Sequence, residues 1–172
     1  MSAGTISASE LHETLRGVAR EYAEALKALL GDSLVSVVLF GSVARGEATS
    51  LSDIDALVAA EGLPPDRFVR RDRLEPATEA LRPRLDALRK QGILTDILAL
   101  YKTPAEASRF RPLYLDMTED AILLFGRDGF FAGVLEGVRA SLRRLGSRRL
   151  KWGNIRYWDL KPDYRPGEIF TI

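Results

Sequence analysis

Leu39-Phe-Gly-Ser-Val-Ala-Arg-Gly-Glu-Ala-Thr-Ser-Leu-Ser-Asp-Ile-Asp-Ala-Leu-Val58 is the stretch from which the rest of the chain can be read. It is preceded by Leu34-Val-Ser-Val-Val38, so a β-branched apolar run ends at Phe40 and meets Gly41-Ser42. Such a run between Gly-Asp and Gly-Ser reads as a buried strand. Ser42 to Gly46 reads as the start of a short helix, and Ser42 could serve as its N-cap. Glycine lets a ligand come close to the backbone, and free N–H groups at a helix start suit an anion such as phosphate. Ten residues separate Ser42 from Asp53-Ile54-Asp55, which stands at the mouth of a second strand, 54–59. Residues i and i+2 of a strand point to one face, so these carboxylates share a side. Paired carboxylates beside a phosphate cradle suit a hard divalent cation such as Mg²⁺ and nucleotide chemistry.

Outward from this centre, Leu11, Leu15, Val18, Tyr22, Leu26 and Leu29 recur at helical spacing, so residues 10–30 form an amphipathic helix. Ser7 and Glu10 form a capping box before it. Residues 66–91 are helical in pattern, and Pro76 and Pro83 predict two pieces or a kink. Residues 93–100 predict a third strand, with Asp96 on one face among Leu94, Leu98 and Leu100. A charge among leucines is costly unless paired or metal-bound, which marks Asp96 as a third candidate carboxylate. Thr103-Pro-Ala-Glu106 starts a helix, Pro112 restarts another to Glu119, 121–125 is a fourth strand, and 130–145 is a last helix. Residues 148–172 lack helical periodicity and read as a strand or ordered tail. Alternating helices and strands place the chain in the α/β or α+β class, a small sheet covered by helices. The expected organisation is one domain over 1–147, with 148–172 as its basic and aromatic extension.

The chain of 172 residues has 46% hydrophobic and 28% charged residues, as in a globular protein, and no apolar run long enough for a membrane helix. The first fifteen residues do not read as a secretory signal, and a cytoplasmic location is expected. Absence of cysteine excludes disulfides, thiol catalysis and Cys-bound metals, and His12 is the single histidine. Residues 1–138 hold 16 Lys and Arg against 21 Asp and Glu, whereas residues 139–172 hold 9 against 3. The basic end either meets an acidic or polyanionic partner or folds back on the protein's own acidic face. Trp152, Tyr157 and Trp158 interleave with Arg148, Arg149, Lys151, Arg156 and Lys161. That pattern suits single-stranded nucleic acid, but packed aromatics with solvated charges are the favoured expectation. Asp116, Glu119 and Asp120 are expected to be solvated, and His12 to be exposed and without a role.

Gly-Ser, ten residues, Asp-x-Asp and a later strand Asp resemble the nucleotidyltransferase superfamily that includes DNA polymerase β. Gly41-Ser-x-Ala-Arg-Gly46 with Ser52-Asp-Ile-Asp55 resembles its minimal nucleotidyltransferase branch, and Arg156 to Asp163 looks like the end of prokaryotic members of that branch. The resemblance implies a mixed sheet with flanking helices and transfer of a nucleoside monophosphate from ATP or another NTP, with release of pyrophosphate. Gly41 and Ser42 would hold the β/γ phosphates, with Arg45 near the phosphates or bracing the loop against an acidic residue. Asp53 and Asp55 would bind two Mg²⁺ ions, and Asp96 would share one and serve as base. The resemblance offers a HEPN-type toxin, tRNA or a small drug as acceptor. A partner protein is the first choice because 172 residues leave little room for a second domain. A non-catalytic partner-binding module of the same fold is the alternative.

Overall fold

The computed structural model describes residues 6–153 and 155–172. Helix α1 (Ala8–Leu30) opens with the expected capping box: Ser7 Oγ accepts from Glu10 N, and the Glu10 carboxylate accepts from Ser7 N. Leu15, Val18, Tyr22 and Leu26 on its inner face are fully buried. Each contributes about 1.5–3 kcal/mol of apolar transfer. Strand β1 (Leu34–Phe40) runs into the five-residue helix α2 (Gly41–Arg45), and β2 (Ile54–Ala60) returns antiparallel to it.

Helices α3 (Arg67–Glu79) and α4 (Arg82–Lys90) are the two expected pieces. Pro76 is tolerated inside α3, and the break falls after Glu79, with Pro83 in the first turn of α4. They carry the chain over to β3 (Ile97–Lys102), which lies parallel to β2. The third strand therefore starts four residues later than 93–100. Its ladder begins at Ile54↔Ile97, and upstream of Ile54 the neighbouring backbone is a polar loop that offers no strand to pair with. Ile93 and Thr95 are buried as anchors of the approach rather than as strand residues.

Helices α5 (Pro104–Ala107), with the Thr103–Glu106 capping box, and α6 (Leu113–Asp120) precede β4 (Ile122–Gly126), and α7 is Phe130–Leu145. The sheet order is β3-β2-β1-β4, a mixed four-stranded sheet. One face, with Ile54, Ala56 and Val58, packs on α1, α3 and α4. The other, with Val38, Leu57 and Ala59, packs on α5, α6 and α7 through Ala107, Tyr114, Phe131 and Leu135. That second layer stops short of β3, so Leu98 and Leu100 stay exposed.

The segment after α7 forms a separate antiparallel hairpin, β5 (Arg148–Trp152) with β6 (Ile155–Asp159). Its polarity meets the expectation of packed aromatics and solvated charges only in part, at Trp158, Arg148 and Lys151. Arg149, Trp158 and Arg156 reach the protein body, while Leu150, Trp152, Ile155 and Tyr157 face outward and are exposed. Strand alternation explains this, because the cross-strand pairs Leu150↔Tyr157 and Trp152↔Ile155 share one face and Arg149↔Trp158 and Lys151↔Arg156 the other.

Candidate functional site

Strand β1 delivers an extended Phe40, which begins α2 without any side-chain cap. Ser42 is the second residue of α2, not its cap, so the N–H groups that open the helix face outward from a turn no side chain closes. Gly41 has φ +74°, and a Cβ placed on it would land on Asp55 Oδ2, with Asp55 Cγ 3.1 Å and Cβ 3.3 Å away. The close approach follows from register: Phe40 pairs with Asp55 across β1 and β2. The Gly-Ser turn and the second aspartate of the motif are therefore in contact.

Asp53 and Asp55 are both half-buried. Burial, and then the Asp53 charge, push the Asp55 carboxyl above its ordinary range, while Arg45 opposes the shift. Two carboxylates on one face of the strand, with Asp55 raised by burial and by its neighbour's charge, fit one divalent cation. Asp96 lies beside them by a different route. Its backbone N donates to Asp53 Oδ1 at 3.1 Å and its carbonyl accepts from Ile54 N at 2.8 Å. Its own Oδ1 accepts from Ile97 N at 2.9 Å. The parallel register (Asp55↔Leu98) puts Asp96, Asp53 and Asp55 on one side of the sheet.

The argument from a buried charge among leucines does not hold, however. Asp96 precedes β3, is exposed, and Leu94, Leu98 and Leu100 around it are exposed too. Among the described residues no three His, Asp or Glu side chains are gathered tightly enough to hold a metal. The fit to a cation is thus a fit of the Asp53–Asp55 pair.

Arg45 takes the bracing role: its Nε donates to Glu47 Oε2 at 2.9 Å. Arg156 of β6 grips the same carboxylate with both terminal nitrogens, and the two arginines hold the Glu47 carboxyl down at about 2. Asp116 and Asp120 are not merely solvated. Arg149 donates to Asp120 at 2.8 Å and lies 3.3 Å from Asp116, which also accepts from Trp158 Nε1 at 3.0 Å. Glu119 is exposed as expected. Part of the basic C-terminal segment therefore folds back on the chain's own acidic groups.

Two residues of α1 support the site without having been singled out in the sequence. Arg16 Nε donates to Val43 O at 3.2 Å and its Nη2 to Ala44 O at 2.8 Å, tying down the carbonyl end of α2. His12, expected to be exposed, is half-buried with Nε2 3.1 Å from Ala48 O. The available signal was two polar residues one helical turn apart beside the Leu11–Leu15 stripe. Two clefts flank the turn. One of about 140 Å³ lies between Phe40, Gly41, Arg45 and the α6 residues Leu113, Asp116 and Met117. It adjoins one of about 410 Å³ lined by Arg45, Glu47, Asp116, Arg149, Lys151 and Arg156.

A family model described as nucleotidyltransferase domain matches residues 19–116. The chain is 28% identical over 131 residues, 76% of its length and 85% of the relative's, to the "Putative protein adenylyltransferase MJ1305" of Methanocaldococcus jannaschii. Among solved structures it is similar to a chain of a toxin–antitoxin crystal structure with AMP-PNP, at 18% identity and TM-score 0.47, covering 74% of this chain and 92% of that one. It is also similar to a chain in a complex of tri-AMPylated Shewanella oneidensis HEPN toxin with MNT antitoxin, at 16% identity and TM-score 0.44, covering 77% and 92%.

Proposed function

The chain belongs to the nucleotidyltransferase domain family, and we propose that it transfers AMP from ATP to a hydroxyl of a partner protein, a HEPN-type toxin being the leading candidate. The carrying observation is the contact between the Gly41 turn and Asp55, which sets the uncapped start of α2 against a carboxylate pair. In this reading the acceptor oxygen forms a bond to the α-phosphorus, the bond from that phosphorus to the bridging oxygen breaks, and pyrophosphate leaves. Gly41 and Ser42 hold the phosphates on the N–H groups that open α2. Asp53 and Asp55 would hold Mg²⁺, which supplies charge neutralisation at the phosphates when bound. Asp96, on the same side of the sheet and open to solvent, takes the proton of the acceptor hydroxyl.

A protein acceptor is supported by what surrounds Asp96. Leu94, Leu98 and Leu100, with Leu51, make an exposed apolar strip, a surface for a protein side rather than for the phosphates of tRNA. The name of the M. jannaschii relative agrees with that choice.

The test begins with calorimetric titration of ATP, GTP, CTP and UTP with Mg²⁺ into the wild type and into Asp53→Asn/Asp55→Asn. Metal-dependent binding of ATP above the other three, lost in the double variant, is the expected result. Labelled ATP is then incubated with the wild type and candidate partners, and mass spectrometry locates AMP on a hydroxyl side chain. Equal binding in the double variant, or label appearing in RNA and not in protein, would refute the reading.

A further inference from the structure

We infer that the cleft between the end of α2 and the β5–β6 hairpin binds the terminal phosphates of the donor nucleotide and the pyrophosphate that leaves, with Lys151 and Arg156 as its cations. The inference rests on the nucleotidyl-transfer reading and adds a part of the chain beyond residues 19–116 to the site.

Four cationic side chains and two carboxylates line this space of about 410 Å³. Glu47 is satisfied by Arg45 and Arg156 together, and Arg149 serves Asp116 and Asp120. Lys151 has no ion-pair partner among the described residues, so the lining keeps an uncompensated positive charge. The hairpin register sharpens the point. Lys151 stands directly opposite Arg156, and both face the cleft. Like charges directly opposed on neighbouring strands destabilise a hairpin. Glu47 offsets part of that cost at Arg156, Lys151 has no such counter-charge among the described residues, and an anion between the two would remove the rest.

The position suits a polyphosphate. The cleft meets the smaller one at Arg45, and Arg45 lies one helical turn from Gly41, about 6 Å along α2. A phosphate chain held at the Gly41 turn therefore reaches the hairpin. When the phosphorus–oxygen bond of the donor breaks, its electron pair stays on the pyrophosphate oxygen. Lys151 and Arg156 are placed to take up that charge. Arg45 continues to hold Glu47 when Arg156 turns to the phosphates. The exposed Trp152 and Tyr157 of the outer face make single-stranded RNA the competing occupant, and titration with RNA decides between them.

The experiment is calorimetry of sodium pyrophosphate without metal, of ATP with Mg²⁺, and of a single-stranded RNA oligonucleotide. Each is titrated into the wild type, Lys151→Gln, Arg156→Gln, Arg148→Gln and Asp53→Asn/Asp55→Asn. Pyrophosphate should bind the wild type, and Lys151→Gln and Arg156→Gln should each weaken it about tenfold, the scale of one charged hydrogen bond. Arg148→Gln removes the same charge from the other face of β5 and should change nothing. Asp53→Asn/Asp55→Asn should keep pyrophosphate binding and lose metal-dependent ATP binding. Lys151 is exposed and unpaired, so its variant reports even if Arg156→Gln folds poorly.

Unchanged pyrophosphate affinity in Lys151→Gln overturns the inference. So does a wild type that binds ATP but not pyrophosphate, which leaves nucleotidyl transfer standing. Loss of RNA binding alone in the Lys151 and Arg156 variants would overturn it in favour of a nucleic-acid surface. ATP binding that is indifferent to Asp53 and Asp55 sinks the nucleotidyl-transfer reading and this one with it.

Discussion

Gly41→Ala is the substitution that separates strain from chemistry at this site. Gly41 has φ +74°, where an L-residue costs about 1–2 kcal/mol. For a domain of this size that is a fall in melting temperature of about 3–6 °C. A second effect is specific to this position. The new methyl group would land on Asp55 Oδ2, and a rotation of the carboxylate does not clear it, because Asp55 Cβ already stands 3.3 Å away. The strand or the turn must then yield, and a displacement of about 1 Å at the reacting groups costs on the order of 100-fold in rate. Gly46→Ala is the matched control. Gly46 has φ +70°, but its Cβ would meet only Arg16 and His12 atoms at 3.6 and 3.7 Å, ordinary contact. Gly46→Ala should lose only the backbone term in urea titrations and Gly41→Ala about 1–3 kcal/mol more for the clash, and only Gly41→Ala should lose nucleotide binding and transfer. If Gly41→Ala retained transfer within a factor of three of Gly46→Ala, the claim that turn and carboxylate form one unit would be refuted.

Asp55 gives a pH signature. Its ordinary value is 3.8 and the fold raises it, so the ionised form is penalised in the folded state. That penalty is absent at low pH and complete once pH passes the raised value. Thermal melts of Asp55→Asn without metal should therefore show no loss of stability at pH 7. Stabilisation of the wild type by Mg²⁺ should fade on acidification at a higher pH than an ordinary Asp would give. Glu106 behaves oppositely. It pairs bidentately with the buried Arg70 at 2.6 and 2.9 Å and is held down at about 2 from 4.5. Glu106→Gln should cost about 2 kcal/mol at pH 7, between an exposed and a buried pair. Because the contribution is complete above pH 4.5 and lost as pH falls through about 2, wild type and variant should converge over that window in urea titrations. Arg16→Met removes two hydrogen bonds to α2 and should lower stability by about 1.5–3 kcal/mol and raise the KM for the nucleotide, read by urea titration and steady-state kinetics. Trp152 is 80% exposed while Trp158 is packed, so Trp152→Phe should remove most of the iodide-quenchable fluorescence.

The sheet and the helices that cover it were legible because each has its own local signal. Ser7 and Glu10, Thr103 and Glu106, and the apolar run into Gly41-Ser42 are local patterns with local causes. The Gly41–Asp55 pairing was legible only as a spacing. The steric contact belongs to the β1–β2 register, which no local pattern states. Asp96 shows how a sound rule can start from a wrong premise. Its leucine neighbours were read as core, but that judgement depends on whether a helix covers the face, and the layer of α5–α7 ends before β3. The hairpin was legible in part. Fold-back of the basic end on the chain's own acidic face was one of two open readings, but composition could not say which charges turn inward, because Asp116, Asp120 and Glu47, which draw in Arg149 and Arg156, lie far off in sequence. Arg16 and His12 were hidden because their partners are backbone carbonyls, which leave no trace in side-chain composition.

The terminal strand β3 has a practical side. Its leucines lie open on one face, and among the described residues the strand closes the sheet with no neighbour beyond it. An uncovered end strand of this kind is a template for pairing with other chains. For anyone making the protein, yield and monodispersity should therefore depend on what it is made with. A preparation co-expressed with the partner protein proposed above as acceptor should remain dispersed at higher concentration than the chain made alone, and a screen for improved yield can serve as a screen for that proposed partner.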